Sequence, residues 1–356
     1  MDGIKRIGLI GVGGVMGYNH LTAYAKCTGY KITAICDIDE ENLRLKGEKL
    51  GIPEEARFVH YEDLLDSGLV DIVDIATPDS SHCEIAMAAV KRNIPISVEK
   101  PMGMNYKEVR DVIEAANAKH LPGHVCFTWH YNNYVRLMRE QVLSGKLGQI
   151  YHVYIRCIKD SGLWEGRPLE WRFDEKISAS GVMGDLSSHM FDIARFLGNE
   201  FVSVNADAGI FIKERRELKG DRMLPVTTWD WCNVLAKMEN GANATFQISR
   251  TAQFLPNWLM VEVYGSRGRL IYSNDCTTQT LELQTEKNEI IRLKPDARYN
   301  ANQSQAFMNL VDGKTDGLEA TLENACKCQA VLDAAYRSVR QGRWVDVREI
   351  VDEYQA

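Results

Sequence analysis

Nowhere in the 356 residues do about 18 uncharged apolar residues run together, the length a membrane-crossing helix needs, so no transmembrane segment is expected. Long basic runs are missing too. Lys and Arg number 42 against 49 Asp and Glu, a formal net charge of −7, and no nucleic acid partner is expected. The nine cysteines show no pairing pattern: the count is odd, and the nearest two, Cys326 and Cys328, are one residue too close for a CxxC redox or zinc hook. Reduced thiols with no metal role are expected. The opening stretch MDGIKRIGLIGVGG turns glycine-rich before an apolar signal core can form, which predicts a cytoplasmic protein. Internal repeats and low-complexity tracts are lacking as well. What is present is an ordinary globular composition, 45% hydrophobic and 26% charged, in a chain long enough for two domains with separate cores.

The most informative stretch runs from Val70 to Pro101. An apolar run, Ile72 to Ala76, ends in Thr77-Pro78, a helical segment comes next from about Ser80 to Lys91, and a second run, Ile94 to Val98, ends in Glu99-Lys100-Pro101. This is a βαβ unit with its polar residues where both strands stop, the edge at which open α/β sheets bind ligands. Lys100 is thereby placed at a site.

Upstream, Lys5 to Ile10 reads as a strand running into Gly11-Val12-Gly13-Gly14-Val15-Met16-Gly17, with helical pattern through Leu21, Ala23 and Ala25. Gly11 allows a tight turn, and Gly13 lets a pyrophosphate approach backbone N–H groups at a helix N-terminus. A second strand, Lys31 to Cys36, ends in Asp37, 37 − 17 = 20 residues after the last glycine. A carboxylate there accepts from a ribose diol and repels a 2′-phosphate, so NAD is expected over NADP. Met16 stands where the third glycine usually falls. The competing reading is an ordinary glycine turn with Asp37 capping a helix over 40–50.

Further βα units are expected: a short helix from Glu62 to Ser67, a helix from Tyr106 to Lys119, a strand from His124 to Trp129, and a helix from Tyr131 to Ser144. Gly145 to Gly148 reads as the junction between an α/β Rossmann domain, 1–145, and a second domain, 146–356, whose closing segment can pack back on the first. Beyond it the period changes. Tyr151 to Ile158, Phe201 to Ile212, Thr227 to Met238, Ala242 to Arg250, Leu259 to Tyr264, Arg269 to Tyr272, Leu281 to Gln284 and Ile290 to Leu293 are strand-like, and Asn240-Gly241 is a hairpin signal. This half is expected to be α+β, an open and mostly antiparallel sheet with helices at Asp185 to Leu197 and Glu319 to Val339.

Asp185, His189 and Asp192, at i, i+4 and i+7, fall on one helical face after a flexible Ser180 to Gly184 loop. With Lys100 they form a set suited to proton transfer, because removing hydride from a secondary alcohol needs a partner for the hydroxyl proton. Plainer readings are a helix-start carboxylate, a satisfied core histidine and a loop cation. The stretch from Lys159 to Lys176 carries Trp164, Arg167, Trp171 and Arg172, aromatic faces and forked donors of the kind that meet sugar rings; a packed loop anchored by its tryptophans is the alternative.

Gly11-x-Gly13-Gly14, Cys36-Asp37, Thr77-Pro78 with His82, Glu99-Lys100-Pro101, Gly184-Asp185-x-x-x-His189-x-x-Asp192 and the closing Ala334 to Ser338 with Gly342 together resemble the Gfo/Idh/MocA oxidoreductases, named for glucose-fructose oxidoreductase and inositol dehydrogenase. The resemblance covers nearly the whole chain. It implies a Rossmann domain binding NAD through Gly11, Gly13, Gly14, Val15, Met16, Asp37, Thr77, Pro78, His82, Glu99 and Lys100, and a C-terminal sheet that serves homo-oligomer contacts. It implies a sugar, glycoside or cyclitol substrate, oxidised at a position that includes C3 of glycosides and C-glycosides. Lys100 would orient the hydroxyl, His189 would be the base, and Asp185 would orient both; the Lys100–Pro101 bond would be cis. Trp129, His130, Trp164, Arg167 and Trp171 would line the substrate side. Family members usually carry Arg and Pro where this chain has His130 and Asn133. An NAD-dependent glycosidase and a non-catalytic NAD or sugar sensor are the other activities the resemblance admits.

Overall fold

A computed structural model describes residues 3–14 and 19–354. The chain divides into two compact units, Met1–Phe127 with Ala301–Cys326, and Thr128–Asn300 with Lys327–Ala356.

The first unit is a six-stranded parallel sheet. Its strands are β1 (Lys5–Ile10), β2 (Tyr30–Cys36), β3 (Arg57–Phe58), β4 (Ile72–Ile75), β5 (Ile96–Val98) and β6 (Gly123–Val125), in the order β3-β2-β1-β4-β5-β6. The order reverses between β1 and β4, the topological switch point at which such sheets take their ligands. Between strands come α1 (Leu21–Tyr24), α2 (Glu40–Leu50), α3 (Tyr61–Asp66), α4 (Asp79–Lys91) and α5 (Tyr106–Ala118). Parallel strands covered on both faces read as unbroken apolar runs, and β4, Ile-Val-Asp-Ile, is buried at all positions including Asp74. The cap of α2 is Asp39, which accepts from the Glu41 and Asn42 N–H groups. Asp37 is therefore not the cap, and the competing reading of that residue is set aside.

The junction differs from the one expected near Gly145. Strand β6 stops at Val125, a 3-10 turn spans Thr128–Tyr131, and α6 (Asn133–Leu143) belongs to the second unit, where Tyr134 meets the Tyr272 ring at 6.0 Å. The first unit is completed instead by α9 (Gln303–Val311), a helix not expected from the sequence, whose Phe307 and Met308 join the core around Ile7, Leu9 and Ile35.

The second unit is built on a nine-stranded sheet. It uses β7 (Ile150–Ile158), β8 (Phe201–Gly209), β11 (Trp231–Met238), β12 (Asn243–Ser249), β13 (Trp258–Gly265), β14 (Gly268–Asn274), β15 (Gln279–Thr285), β16 (Ile290–Leu293) and β17 (Val345–Asp346); β9 (Glu214–Arg216) and β10 (Met223–Pro225) form a separate hairpin. The order is β16-β15-β14-β13-β7-β12-β11-β8-β17. All pairs are antiparallel except β7 with β12, because β7 enters the middle of the sheet from outside the run of hairpins. Short α7 (Glu175–Ser178) leads towards α8 (Ser188–Phe196), which covers one face: the Phe191 ring meets Phe246 at 5.0 Å and Phe201 at 5.5 Å. The long α10 (Leu322–Gln341) and α11 (Val347–Asp352) close the chain. On the other face the alternating residues Tyr154, Arg156, Thr245, Gln247 and Glu262 line a shallow depression, with Arg156 donating to Glu262 at 2.6 Å. No helix of the described residues is long and apolar enough to cross a membrane, and the nine cysteines are free thiols.

Candidate active site

In the first unit the polar residues singled out from the sequence gather at the ends of β1, β2, β4 and β5. Gly11 sits at φ +83°, and a Cβ there would lie 2.8 Å from the backbone of Ala76 and Thr77, so only glycine lets the β1 turn pass this close to the end of β4. Gly13 N–H donates to Asp37 Oδ2 at 3.0 Å, while Asp37 Oδ1 accepts from the Asp39 N–H at 2.9 Å. The carboxylate is thus pinned beside the glycine turn and half-buried. A backbone cradle that a side chain would fill, with an acceptor fixed at the end of β2, suits a dinucleotide. Val15, Met16 and Gly17 lie outside the described residues.

Thr77 and Pro78 are half-buried at the end of β4, where Ser81 donates to the Thr77 hydroxyl at 2.8 Å. Two expected cofactor contacts are corrected here. His82 is 1% exposed, and its ring nitrogens lie 2.9 Å from the Pro101 carbonyl oxygen and 2.8 Å from that of Thr77, so it braces the two strand ends from behind. Glu99 is 6% exposed, with Oε1 2.8 Å from His20 and Oε2 accepting the Lys100 N–H at 3.0 Å. Both act through the backbone they hold. Lys100 is half-buried, and its bond to Pro101 is cis.

In the second unit the expected helix from Asp185 begins earlier and wider. A π turn spans Met183–Ser187 and passes into α8, with the Asp185 N–H donating to the Gly181 carbonyl at 2.8 Å. Gly181, at φ +58°, packs so closely on Thr228 that a Cβ would fall 2.5 Å from it. From Ser180 to Leu197 all residues are buried except two, Asp185 and His189, which are half-exposed. The pair thus stands at the passage from a π turn into α8, and π turns are frequent at functional sites. Asp192 is 0% exposed and lies 3.0 Å from His130 Nε2; His130 is itself 2% exposed, its ring tilted against that of Phe196 at 4.1 Å. The expectations that His130 lines the substrate side and that Asp192 belongs to the proton-transfer set are corrected: the two form a buried pair that secures α8. Their pairing had one sequence signal, polar residues set among apolar neighbours, and nothing in the spacing joins them.

The Lys159 to Lys176 stretch mostly adopts the packed-loop arrangement. Arg167 donates to both Glu170 oxygens, at 3.1 and 3.0 Å, and lies over the Phe173 ring, so it anchors the loop instead of reaching a substrate. Arg215 and Arg250 cover the same buried ring at 4.0 and 4.5 Å. Arg250 Nε donates to the buried Asp230 at 3.1 Å, and Gly162 N–H donates to the Arg250 carbonyl at 2.7 Å, which docks the loop. Trp171 is half-buried under Arg172. Trp164 presents the loop's most open aromatic ring, 57% exposed, with its indole N–H tied to Asp160 at 3.1 Å. Trp129, half-buried, meets Tyr272 edge-on at 6.5 Å.

A family model described as an oxidoreductase family with an NAD-binding Rossmann fold matches residues 5–127, and the GFO/IDH/MocA C-terminal domain matches residues 135–271. Levoglucosan dehydrogenase of Pseudarthrobacter phenanthrenivorans is 28% identical over 287 residues, 75% of this chain and 73% of that protein. Myo-inositol 2-dehydrogenase of Thermotoga maritima is 27% identical over 285 residues, 80% of this chain and 79% of that protein. Among solved structures, a levoglucosan dehydrogenase in complex with NADH and L-sorbose shares the fold, with a TM-score of 0.88 at 24% identity over 98% of this chain and 100% of the other.

Proposed function

The chain belongs to the Gfo/Idh/MocA family of NAD-binding oxidoreductases, and on that premise we propose that it oxidises a secondary hydroxyl of a pyranose sugar, a glycoside or a cyclitol. Relatives named for levoglucosan and myo-inositol support the substrate class. The observation that carries the chemistry is the Asp185 and His189 pair, the two accessible positions in an otherwise buried stretch of eighteen residues counted from Ser180 to Leu197.

NAD, when bound, accepts the hydride. His189 takes the hydroxyl proton, Lys100 donates to the substrate oxygen and holds it in place, and Asp185 accepts from a neighbouring hydroxyl and orients the imidazole. Trp164 supplies an apolar wall for the C–H face of a ring or an aglycone, which brings oxidation at C3 of a glycoside, C-glycosides included, within the same reading.

The test is a panel of levoglucosan, myo-inositol, glucose, an aryl glycoside, a C-glycoside, simple acyclic alcohols and 2-hydroxy acids, each with NAD and monitored by NADH absorbance. Reduction of NAD by one or more of the cyclic polyols is expected. Oxidation of the acyclic alcohols or hydroxy acids alone would end the sugar reading, and aglycone release without net NADH would replace it with a glycosidase. As part of the same proposal, a second copy of the chain covers the open sheet face around Tyr154, Arg156 and Glu262. Sedimentation should show a dimer or larger species that Arg156→Glu weakens; a parent enzyme that stays monomeric at all concentrations refutes the covering.

A further inference from the structure

Behind Lys100, two buried carboxylates face one imidazole. His20, just before α1, has Nδ1 2.7 Å from Asp74 Oδ2 and Nε2 2.8 Å from Glu99 Oε1. The Tyr24 hydroxyl donates to the same Asp74 oxygen at 2.9 Å. The side chains of His20, Asp74 and Glu99 are 2%, 1% and 8% exposed. An ionised carboxylate only accepts, so both ring nitrogens must donate, unless one carboxyl keeps the proton. Imidazole, with an ordinary pKa of about 6.5 against about 4 for a carboxyl, is the stronger base and takes it.

The surroundings agree with that assignment. Burial by itself would lower the His20 pKa, but the charge of the Asp74 carboxylate and its hydrogen bond to the ring work against that, and the value stands well above the ordinary one. Burial pushes the Tyr24 phenol up, and pushes the Cys126 thiol up to about 12, so both remain neutral. Asp74 on β4 and Glu99 after β5 are thus the two carboxyl groups that face the one imidazole. His20, Glu99 and Cys126 also bring three ligand-type atoms within 4.8 Å of one another. Two ligands about 2.0–2.1 Å from one tetrahedral zinc lie roughly 3.3 Å apart. The 2.8 Å between His20 and Glu99 is instead the length of a charge-assisted hydrogen bond.

We infer that His20 is a positioning residue for Lys100: its imidazolium, held by Asp74, fixes Glu99, whose second oxygen holds the Lys100 N–H and so the root of the lysine side chain. His82 secures the next residue through the Pro101 carbonyl. Loss of the His20 proton would turn a ring lone pair towards one of the two carboxylates and leave both charges uncompensated. Because the folded value is raised, the clamp is complete below the ordinary histidine pKa and is lost as pH rises through the raised one.

This rests on reading Lys100 as the lysine that meets substrate, whereas the protonation of His20 does not. Long-range proton–nitrogen spectra of the 15N-labelled parent protein, with His20 assigned by its loss in His20→Gln, should show both ring nitrogens protonated at about pH 8, above the ordinary histidine value. A neutral-tautomer signature overturns the inference. On the substrate identified by the panel, His20→Gln should lower kcat about 10- to 100-fold, the cost of a misplaced group. NADH affinity, read by fluorescence titration, should hold, and the double variant with Lys100→Ala should be no slower than Lys100→Ala alone. Losses that multiply mean a general structural effect and also overturn it. A slow Lys100→Ala beside an unimpaired His20→Gln defeats the inference alone; an unimpaired Lys100→Ala defeats the reading of Lys100, with the spectra still deciding the charge on His20.

Discussion

Lys100→Ala and His189→Ala should each lower turnover roughly 10²- to 10⁴-fold on the substrate found by the panel, the span associated with removing a group that moves or holds a proton in the transition state. Thermal midpoints and NADH affinity should stay close to those of the parent. Both side chains are only half-buried, and each is mounted on backbone held by other residues: Lys100 by Glu99, and α8 by the His130 and Asp192 pair. Truncation therefore removes a reacting group without opening a core. Asp185→Asn should be milder in rate and should raise KM as well, because the amide still accepts a hydrogen bond but no longer steadies an imidazolium. Single-turnover rates on purified variants separate the outcomes. Near-parental chemistry in either alanine variant removes that residue from the proposed set.

NAD should bind at least tenfold to a hundredfold more tightly than NADP, a preference set by Asp37. Its carboxylate is held by two N–H donors, Gly13 and Asp39, at the end of β2. Fixed in this way it cannot swing aside for a like-charged 2′-phosphate, and the repulsion acts in a half-buried groove where water screens it incompletely. Asp37→Ser should narrow the ratio from both directions, easing entry of the phosphate while loosening the Gly13 turn that NAD needs. Isothermal titration of both dinucleotides against both proteins measures this, and comparable affinities in the parent protein would defeat the assignment.

The two predictions draw on residues of different legibility. Asp37 was readable because its position obeys a local rule, a carboxylate about twenty residues past a glycine turn at the end of the next strand. Even there, the structure was needed to show that Asp39, two residues on, takes the capping role and leaves Asp37 for Gly13. Asp185 and His189 were readable as a pair one turn apart, but Asp192 was grouped with them on the assumption of an unbroken 3.6-residue period. His189 and Asp192 do lie three residues apart in regular helix, within Ser188–Phe196, but one step round that face is already inside the core, and Asp192 meets His130, 62 residues away in the chain.

The sequence by itself determined the parts of this protein that obey short-range periodicity. These are the parallel strands with polar ends, the glycine turn, the change to alternating strands after about residue 150, and a motif set dense enough to identify the family. Each depends on backbone geometry within one element or between adjacent ones, where spacing and side-chain direction are coupled. Tertiary structure alone decided which polar residues are accessible. His82, Glu99, His130, Asp192 and Arg167 look like site residues in one dimension, yet each is spent on a partner: an imidazole, a carboxylate, a backbone carbonyl or an aromatic ring. The physical reason is that burial of a charge or an imidazole is tolerated only with a matched partner. The partners that decide burial for His82, Glu99, His130 and Asp192 include ones 19, 79 and 62 residues away, so no local pattern reveals them. The same holds for α9, an ordinary amphipathic helix whose place in the first unit's core was settled by the apolar surface left for Phe307 and Met308 to cover.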